Sequence, residues 1–243
     1  MAKLKKKSRK LGNTHLKYLL LMVMSYIMLA VCGVSCFLSI KNGETMLLCI
    51  AAAGCVLFGW LGRYMHNQAN IIASGLKGER QTGELLKKLP EGYTAFQNIN
   101  VSFGGRTSEL DTVVVGKSGV FVIETKNSKG IISGSYQGQN WTQTKHRGSQ
   151  THQKTLYNPI KQVGTHVYRL ANYLRGEGID INVSAAVYFA DGEAELNLSG
   201  EKGNIPVFAF SDNGEKALLD YIKKGGAKLS DTTVKKINKL LNR

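Results

Sequence analysis

Proline is scarce, at three residues in 243, which excludes a proline-rich stalk or spacer. Cysteine occurs at positions 32, 36, 49 and 55 and nowhere else. That distribution excludes the disulfide framework of a small secreted domain, and it leaves everything after residue 55 without thiol chemistry. Acidic residues are few: 17 Asp and Glu stand against 32 Lys and Arg, a net charge of +15. An excess of this size points to an anionic partner, lipid or nucleic acid. Disorder throughout is excluded by 43% apolar and 20% charged residues. No internal repeat is visible, and no low-complexity tract follows residue 17.

What is present is unevenly placed. Residues 1–17 carry Lys3, Lys5, Lys6, Lys7, Arg9, Lys10 and Lys17 without one acid. Tyr18 to Ile40 then runs 23 residues uncharged, as a helix about 34 Å long, enough to cross a bilayer. After the polar turn Lys41-Asn42-Gly43-Glu44-Thr45, a second uncharged run spans Met46 to Gly62. Its length is about 25 Å, at the short end for spanning. Trp60 and Tyr64 flank its end, where an interfacial aromatic belt sits. The first run is longer than the apolar region of a signal peptide, and a second follows at once, so a helical hairpin fits better. Seven positive charges before the first span against one in the turn place the N-terminus in the cytoplasm, and two spans return the chain to the same side. The expected organisation is a basic cytoplasmic tail at 1–17, spans at 18–40 and 46–62, and a linker at 63–73. A folded domain at 74–190 and a C-terminal strand and helices at 191–243 follow. The tail reads as an orientation signal and a contact for anionic inner-leaflet lipid. Cys32 and Cys36, one turn apart in the first span, read as small packing residues rather than a metal pair.

Beyond the spans, apolar residues at helical spacing (Ile72, Leu76, Leu86, Leu89) predict a helix that Pro90 and Gly92 end. Tyr93–Val101 reads as a strand. Glu109–Val115 and Val120–Lys126 read as a hairpin around Gly116-Lys117-Ser118-Gly119. Weaker strands lie at Ile131–Tyr136 and near Trp141, and Gly148–Tyr157 reads as a polar, mobile loop. Asn158-Pro159 opens a helix running to about Arg175, with proline at its first position. Strands at Ile181–Ala190 and Ile205–Phe210 and helices at Asn213–Lys223 and Thr232–Leu241 complete the chain. Strands and helices in this order predict an α/β domain with a sheet covered on both sides.

The hairpin carries the chemistry. If it is symmetric about Lys117-Ser118, facing residues have numbers that add to 235, and Asp111 faces Glu124. Lys126, two residues on, shares their face. Two carboxylates about 5 Å apart repel by roughly 3 kcal/mol at an effective dielectric near 20, and strand pairs avoid like charges at such positions. A divalent cation reverses the sign: Mg²⁺ takes one or two carboxylates plus water and phosphate oxygens. The plainer reading is a solvated sheet edge on which Lys126 bridges one of the acids.

Three blocks together resemble a known family: Gly78-Glu79; Glu109-Leu110-Asp111 through Glu124-Thr125-Lys126-Asn127; and Asn158-Pro159-Ile160-Lys161-Gln162. Residues 74–190 are similar to the nuclease-related domain (NERD), itself similar to the PD-(D/E)XK nucleases. The resemblance implies a restriction-endonuclease-like mixed sheet flanked by helices, here behind a transmembrane hairpin. It implies Asp111 and Glu124 as metal-binding acids, Lys126 as the catalytic lysine, Glu79 as a helix glutamate leaning toward the metal, and Gln162 as a site glutamine. Glu84, in a second Gly-Glu pair, is the alternative to Glu79. Leu110 stands where the superfamily name has proline. The implied cofactor is Mg²⁺ or Mn²⁺.

Between Glu124 and Glu177 there is no acid, while Lys126, Lys129, Lys145, Arg147, Lys154, Lys161, Arg169 and Arg175 all fall there. Lys129, Lys145, Arg147, Lys154, Lys161 and Arg169 read as a phosphate-contacting track, and Trp141 as a base-stacking or a core residue. Gly116-Lys117-Ser118 is not a phosphate loop, because Asp111 occupies the position of its first glycine and a strand follows. His146 and His152 have no cysteine to complete a zinc site. The expectation is a membrane-anchored nuclease-like protein hydrolysing nucleic acid, DNA foremost, with anionic lipid and a second copy of the chain as further partners and no small-molecule cofactor. The alternative is a catalytically inactive nuclease fold that binds nucleic acid or a protein at the membrane.

Overall fold

A computed structural model describes residues 1–6, 10–226 and 228–242, apart from the side chains of Lys6, Lys10 and Arg147. Lys7 and Arg9 of the basic N-terminal stretch lie outside the described residues. The chain forms two compact units, one of residues 9–76 and one of residues 1–8 with 77–243.

The first unit holds helix α1 (Lys10–Asn42) and most of α2 (Thr45–Lys87). Both are long and apolar enough to cross a membrane. Leu20, Met24, Ile27, Val34, Phe37, Ile50 and Val56 are exposed along them, which water disfavours over this length. All four cysteines are free. The stretch 63–73, read in the sequence as a linker, is helical throughout. It contains no glycine or proline, so the helix runs through it unbroken.

The second unit is a mixed α/β fold. Its larger sheet contains β1 (Lys3–Lys6), β2 (Thr94–Phe103), β3 (Arg106–Gly116), β4 (Gly119–Lys126), β8 (Val183–Phe189) and β10 (Val207–Ala209), in the order β1-β2-β3-β4-β8-β10. β2, β3 and β4 form an antiparallel meander, and β4, β8 and β10 are parallel. The crossover from β4 to β8 includes α3 (Pro159–Gly176) and most of a second sheet. That sheet has β5 (Gly130–Ser135), β6 (Asn140–Arg147), β7 (Gln150–Tyr157) and β9 (Ala194–Ser199), in the order β7-β6-β5-β9. Helices α4 (Gly214–Lys224) and α5 (Asp231–Leu241) end the chain.

Alternation along the strands divides the core. Val113, Val115, Val120 and Val122 pack on one face with Val163 and Leu170 of α3 and Ile237 of α5. Val114, Phe121 and Ile123 pack on the other with Leu85 and Leu86 of α2 and Leu218 of α4. Helices therefore cover both faces.

Three segments differ from expectation. The start of the basic tail is strand β1: Lys3–Lys6 pairs parallel with Thr94–Gln97, and Ala2 N–H donates to Leu89 O. Its strand character is carried by backbone hydrogen bonds to a partner some 90 positions away, and lysine-rich tetrapeptides have no β pattern of their own. The expected loop at 148–157 is largely strand β7, whose polar side chains reflect its exposure and whose backbone pairs with β6 from Tyr157 to Gln150. β9, parallel to β5, has no counterpart in the sequence reading.

Candidate active site

The β3–β4 register is the symmetric one. Thr112 pairs Ile123, Val113 pairs Val122 and Gly116 pairs Gly119, each pair adding to 235. Ladder pairing ends at Thr112, and Asp111 instead accepts a hydrogen bond from the Thr125 N–H at Oδ2, 3.0 Å. Glu124 and Lys126 follow Val120 and Val122 on the same face, where β4 is paired with β8. Asp111, Glu124 and Lys126 thus come together at the end of one sheet face.

Glu124 is 1% exposed. Its Oε1 accepts from Lys126 Nζ at 2.7 Å, and Lys126 Nζ also donates to Gln162 Oε1 at 2.9 Å. Burial opposes ionisation of Glu124, but the His166 imidazole and the Lys126 ammonium outweigh it and hold the pKa below the ordinary carboxylate value. Asp111 goes the other way. Burial, then the Glu124 charge, with Glu79 adding, push its carboxyl up to about 8 against the pull of the Thr125 N–H and Lys126. One carboxylate is kept charged and its neighbour protonated, as when two acids share one site and the pKa of one is pushed up.

The Asn-Pro block positions Gln162. Asn158 is fully buried and caps α3, accepting from Ile160 N–H at 2.9 Å while its Nδ2 donates to Tyr136 O and Gly138 O. The helix start is pinned to the β5–β6 turn, and Gln162 falls one turn in, beside Lys126. The Gly-Glu block has an equally direct cause. A Cβ on Gly78 would stand 2.7 Å from the Asn127 Cβ, so glycine lets α2 close on the end of β4. Glu79 accepts at Oε2 from Asn98 Nδ2, 2.8 Å. Glu84, the alternative, pairs with Lys87 at the surface.

Two residues of the site escaped the sequence reading. His166 is 8% exposed, and its Nδ1 lies 3.4 Å from Glu124 Oε2. The signal was its spacing, four residues after Gln162 on the same helix face. Asn98 is buried in β2 with φ of 55°, a left-handed conformation that non-glycine residues seldom adopt. It sits opposite Asp111 in the β2–β3 register, between the pairs Gln97–Thr112 and Ile99–Leu110. Nothing in the sequence singled it out, although asparagine is among the few residues that tolerate this conformation.

The expected phosphate contacts separate into groups. Lys145, Lys154 and Lys161 are exposed. Lys129 is exposed too, but paired with Glu193 at 2.7 Å, which raises its pKa. Arg169 is half-buried and donates to the Ser108 hydroxyl. The Arg147 side chain lies outside the described residues. Trp141 is a core residue: it is 1% exposed, stacks on Phe189 and donates from Nε1 to Ser135 O. Gly134 lies flat under its ring, where a Cβ would clash at 2.3 Å. Base stacking by Trp141 is therefore set aside.

Among the described residues, no three of His, Cys, Asp and Glu stand close enough together to hold a metal ion. A two-residue donor set completed by water does fit. Glu124 Oε2 is buried and has no hydrogen-bond partner, and an orphaned carboxylate oxygen of this kind suits a divalent ion.

Residues 74–190 match the model of the family described as nuclease-related domain, NERD. These residues form a nuclease-related domain. An uncharacterized protein of Bacillus anthracis is 37% identical over 91 residues, covering 37% of this chain and 43% of that protein. The chain thus spans less than half of that relative. No solved structure matches. The NERD boundaries take in the site from Gly78 to His166 and the four strands β5 to β8, while β1, α4 and α5 lie outside them.

Proposed function

We propose that this chain is a membrane-anchored phosphodiesterase that hydrolyses nucleic acid, DNA foremost, with a divalent metal. One observation carries the reading: Lys126 Nζ is held between Glu124 and Gln162 on the sheet face that also bears Asp111. A lysine fixed at both ends beside a paired acid is preorganised to donate to a phosphate oxygen as charge builds there. Asp111 and Glu124 would hold the ion, Mg²⁺ or Mn²⁺. When bound, it polarises the phosphate and lowers the pKa of a water nucleophile. Gln162 keeps the ammonium in place, and Glu79, held by Asn98, adds a further negative charge near Asp111.

The β6–β7 hairpin supports the substrate class. By the ladder register, Gln143, Lys154, Lys145 and His152 share one face with Trp141 and Leu156. The other face shows Thr142, Thr155, Thr144 and Gln153. Exposed lysines on the face continuous with the site's core suit a phosphate backbone read without sequence preference.

Anchoring rests on α1 and α2, and β1 supports the topology. Residues before α1 and after α2 join the same sheet, so a spanning hairpin would leave and re-enter one bilayer side. The basic N-terminus makes that side the cytoplasm. The inactive binding module is kept as a second reading because no three metal-ligating groups converge among the described residues. Purified full-length protein incubated with plasmid and Mn²⁺ separates the two. Nicking that Asp111→Asn and Lys126→Ala both abolish, with DNA retention unchanged, is expected. A wild type that retains DNA but never nicks it would establish the module.

A further inference from the structure

The β2–β3 hairpin outruns its neighbour. Pairing of β3 with β4 ends at Thr112, but pairing with β2 continues to Phe103 opposite Arg106. Gly104 and Gly105 close this arm with φ of 59° and 71°, the two left-handed residues of a type I′ turn. A tight turn of this kind makes the arm a fixed projection. Ile99, Val101 and Phe103 alternate along one side of β2. The first two are buried, while Phe103, at the tip, is 39% exposed. Its ring meets Tyr168 of α3 edge to face, with centroids 5.9 Å apart, and Tyr168 is 60% exposed.

Helix α3 ties this pair to the candidate site. Gln162 and His166 form the row that faces Lys126 and Glu124. Lys161, Thr165 and Tyr168 form an exposed row beside it, at i, i+4 and i+7. Tyr168 lies about 9 Å along the axis from Gln162, near enough for one strand to reach both. Arg169 joins the helix to the arm through the Ser108 hydroxyl. No acid occurs in α3, and exposed Arg106 stands opposite Phe103 in the ladder. The helix therefore offers a phosphate chain cations and no repulsion of its own.

We propose that Tyr168, with Phe103, is a stacking platform for an unpaired nucleobase, so that the strand this site takes is single. The inference rests on the reading of the chain as a nucleic-acid hydrolase and adds its substrate class. In a duplex the base faces are covered by their neighbours, and a ring outside it meets only backbone and groove. A single strand offers its base faces, and they stack on an aromatic ring whatever the base. An edge-to-face contact occupies one ring face, and the exposure of Tyr168 leaves it open to a second partner.

The test is photocrosslinking of the full-length protein to single-stranded and duplex oligonucleotides carrying iodouracil, with a chelator present so that no strand is cut, alongside anisotropy titrations of both. Crosslinks that mass spectrometry maps to Tyr168 or Phe103 are expected with the single strand and absent with the duplex. Tyr168→Ala should weaken single-strand binding about 5–150-fold and leave duplex binding as it is, and Tyr168→Phe, which keeps the ring, should bind as the wild type does. The crosslink needs no variant, so a misfolded Tyr168→Ala would not remove the test. Single-strand binding without a crosslink at either ring, or equal losses for both forms, overturns the inference and leaves the hydrolase reading standing. Self-association that Tyr168→Ala abolishes, with no crosslink, overturns it too and assigns the rings to a second copy. A wild type that binds neither form overturns both.

Discussion

Gly78 in α2 and Asn127 at the end of β4 approach so closely that a Cβ on the glycine would stand 2.7 Å from that of Asn127. The contact sets how near Glu79, the next residue, comes to Asp111. Gly78→Ala forces helix and strand apart, and overpacking of this kind costs about 1–3 kcal/mol. The expected outcome is a lower midpoint of thermal unfolding together with weaker Mn²⁺ binding. A variant of unchanged stability and metal affinity would show that the approach is slack.

Lys126 is the direct neutralising partner of a carboxylate that is 1% exposed. Lys126→Met should destabilise the fold by about 3–5 kcal/mol, because it strands a buried charge. Adding Glu124→Gln should recover most of that loss. A double-mutant cycle by chemical denaturation is expected to give a coupling on the order of 2–3 kcal/mol. Simple additivity would mean that Lys126 does not neutralise Glu124 in solution.

Asp111 titrates near pH 8 in the folded protein, against an ordinary value of 3.8. Well below 3.8 both folded and unfolded chains hold the proton, and the group has no effect on stability. As pH rises through the window from about 4 to about 8, the unfolded chain releases its proton and the folded chain keeps it, so stability falls. Asp111→Asn removes that loss. The variant should match the wild type near pH 3.5 and exceed it by about 1–3 kcal/mol near pH 8. Thermal unfolding at the two pH values checks this. A wild type whose stability rises across the window would place the Asp111 pKa below its ordinary value.

The exposed cations are not equivalent. Lys145 and Lys154 stand on the hairpin without an acidic neighbour in the ladder, whereas Lys129 is engaged by Glu193. Changing Lys145 and Lys154 together to Ala should reduce the slope of log affinity for DNA against log salt by about 2, and Lys129→Ala should reduce it by well under 1. Filter binding across a salt series measures both. Equal slopes for all variants would put the DNA elsewhere.

Strand β1 leads to a stability prediction. Lys5 Nζ lies over the Phe96 ring and donates to Asn242 Oδ1, and Ala2 is buried. Lys3→Pro removes the N–H that donates to Tyr93 O and should lower the unfolding midpoint of the α/β unit, since a lost ladder hydrogen bond costs about 0.5–1.5 kcal/mol. An unchanged midpoint would mean that the N-terminal strand adds nothing to the sheet.

Local patterns carried much of this protein. Apolar runs of helical length specify α1 and α2, because an uncharged stretch has few ways to satisfy its backbone except as helix. The two-residue loop Lys117-Ser118 between Gly116 and Gly119 specifies the register that brings Asp111 toward Glu124, since loop length fixes the pairing of a hairpin. Asn158-Pro159 specifies where α3 begins. Tertiary structure decided the rest, where the determining partner is distant in the chain. Lysine-rich β1 is a strand only because β2 offers it an edge, and polar β7 only because β6 does. Glu79 and not Glu84 faces the site because Gly78 meets Asn127. His166 faces Glu124 because α3 packs across the end of β4, and the two carboxylates part because burial raises the pKa of Asp111 while His166 and Lys126 outweigh burial at Glu124, a set of contacts that no linear pattern encodes.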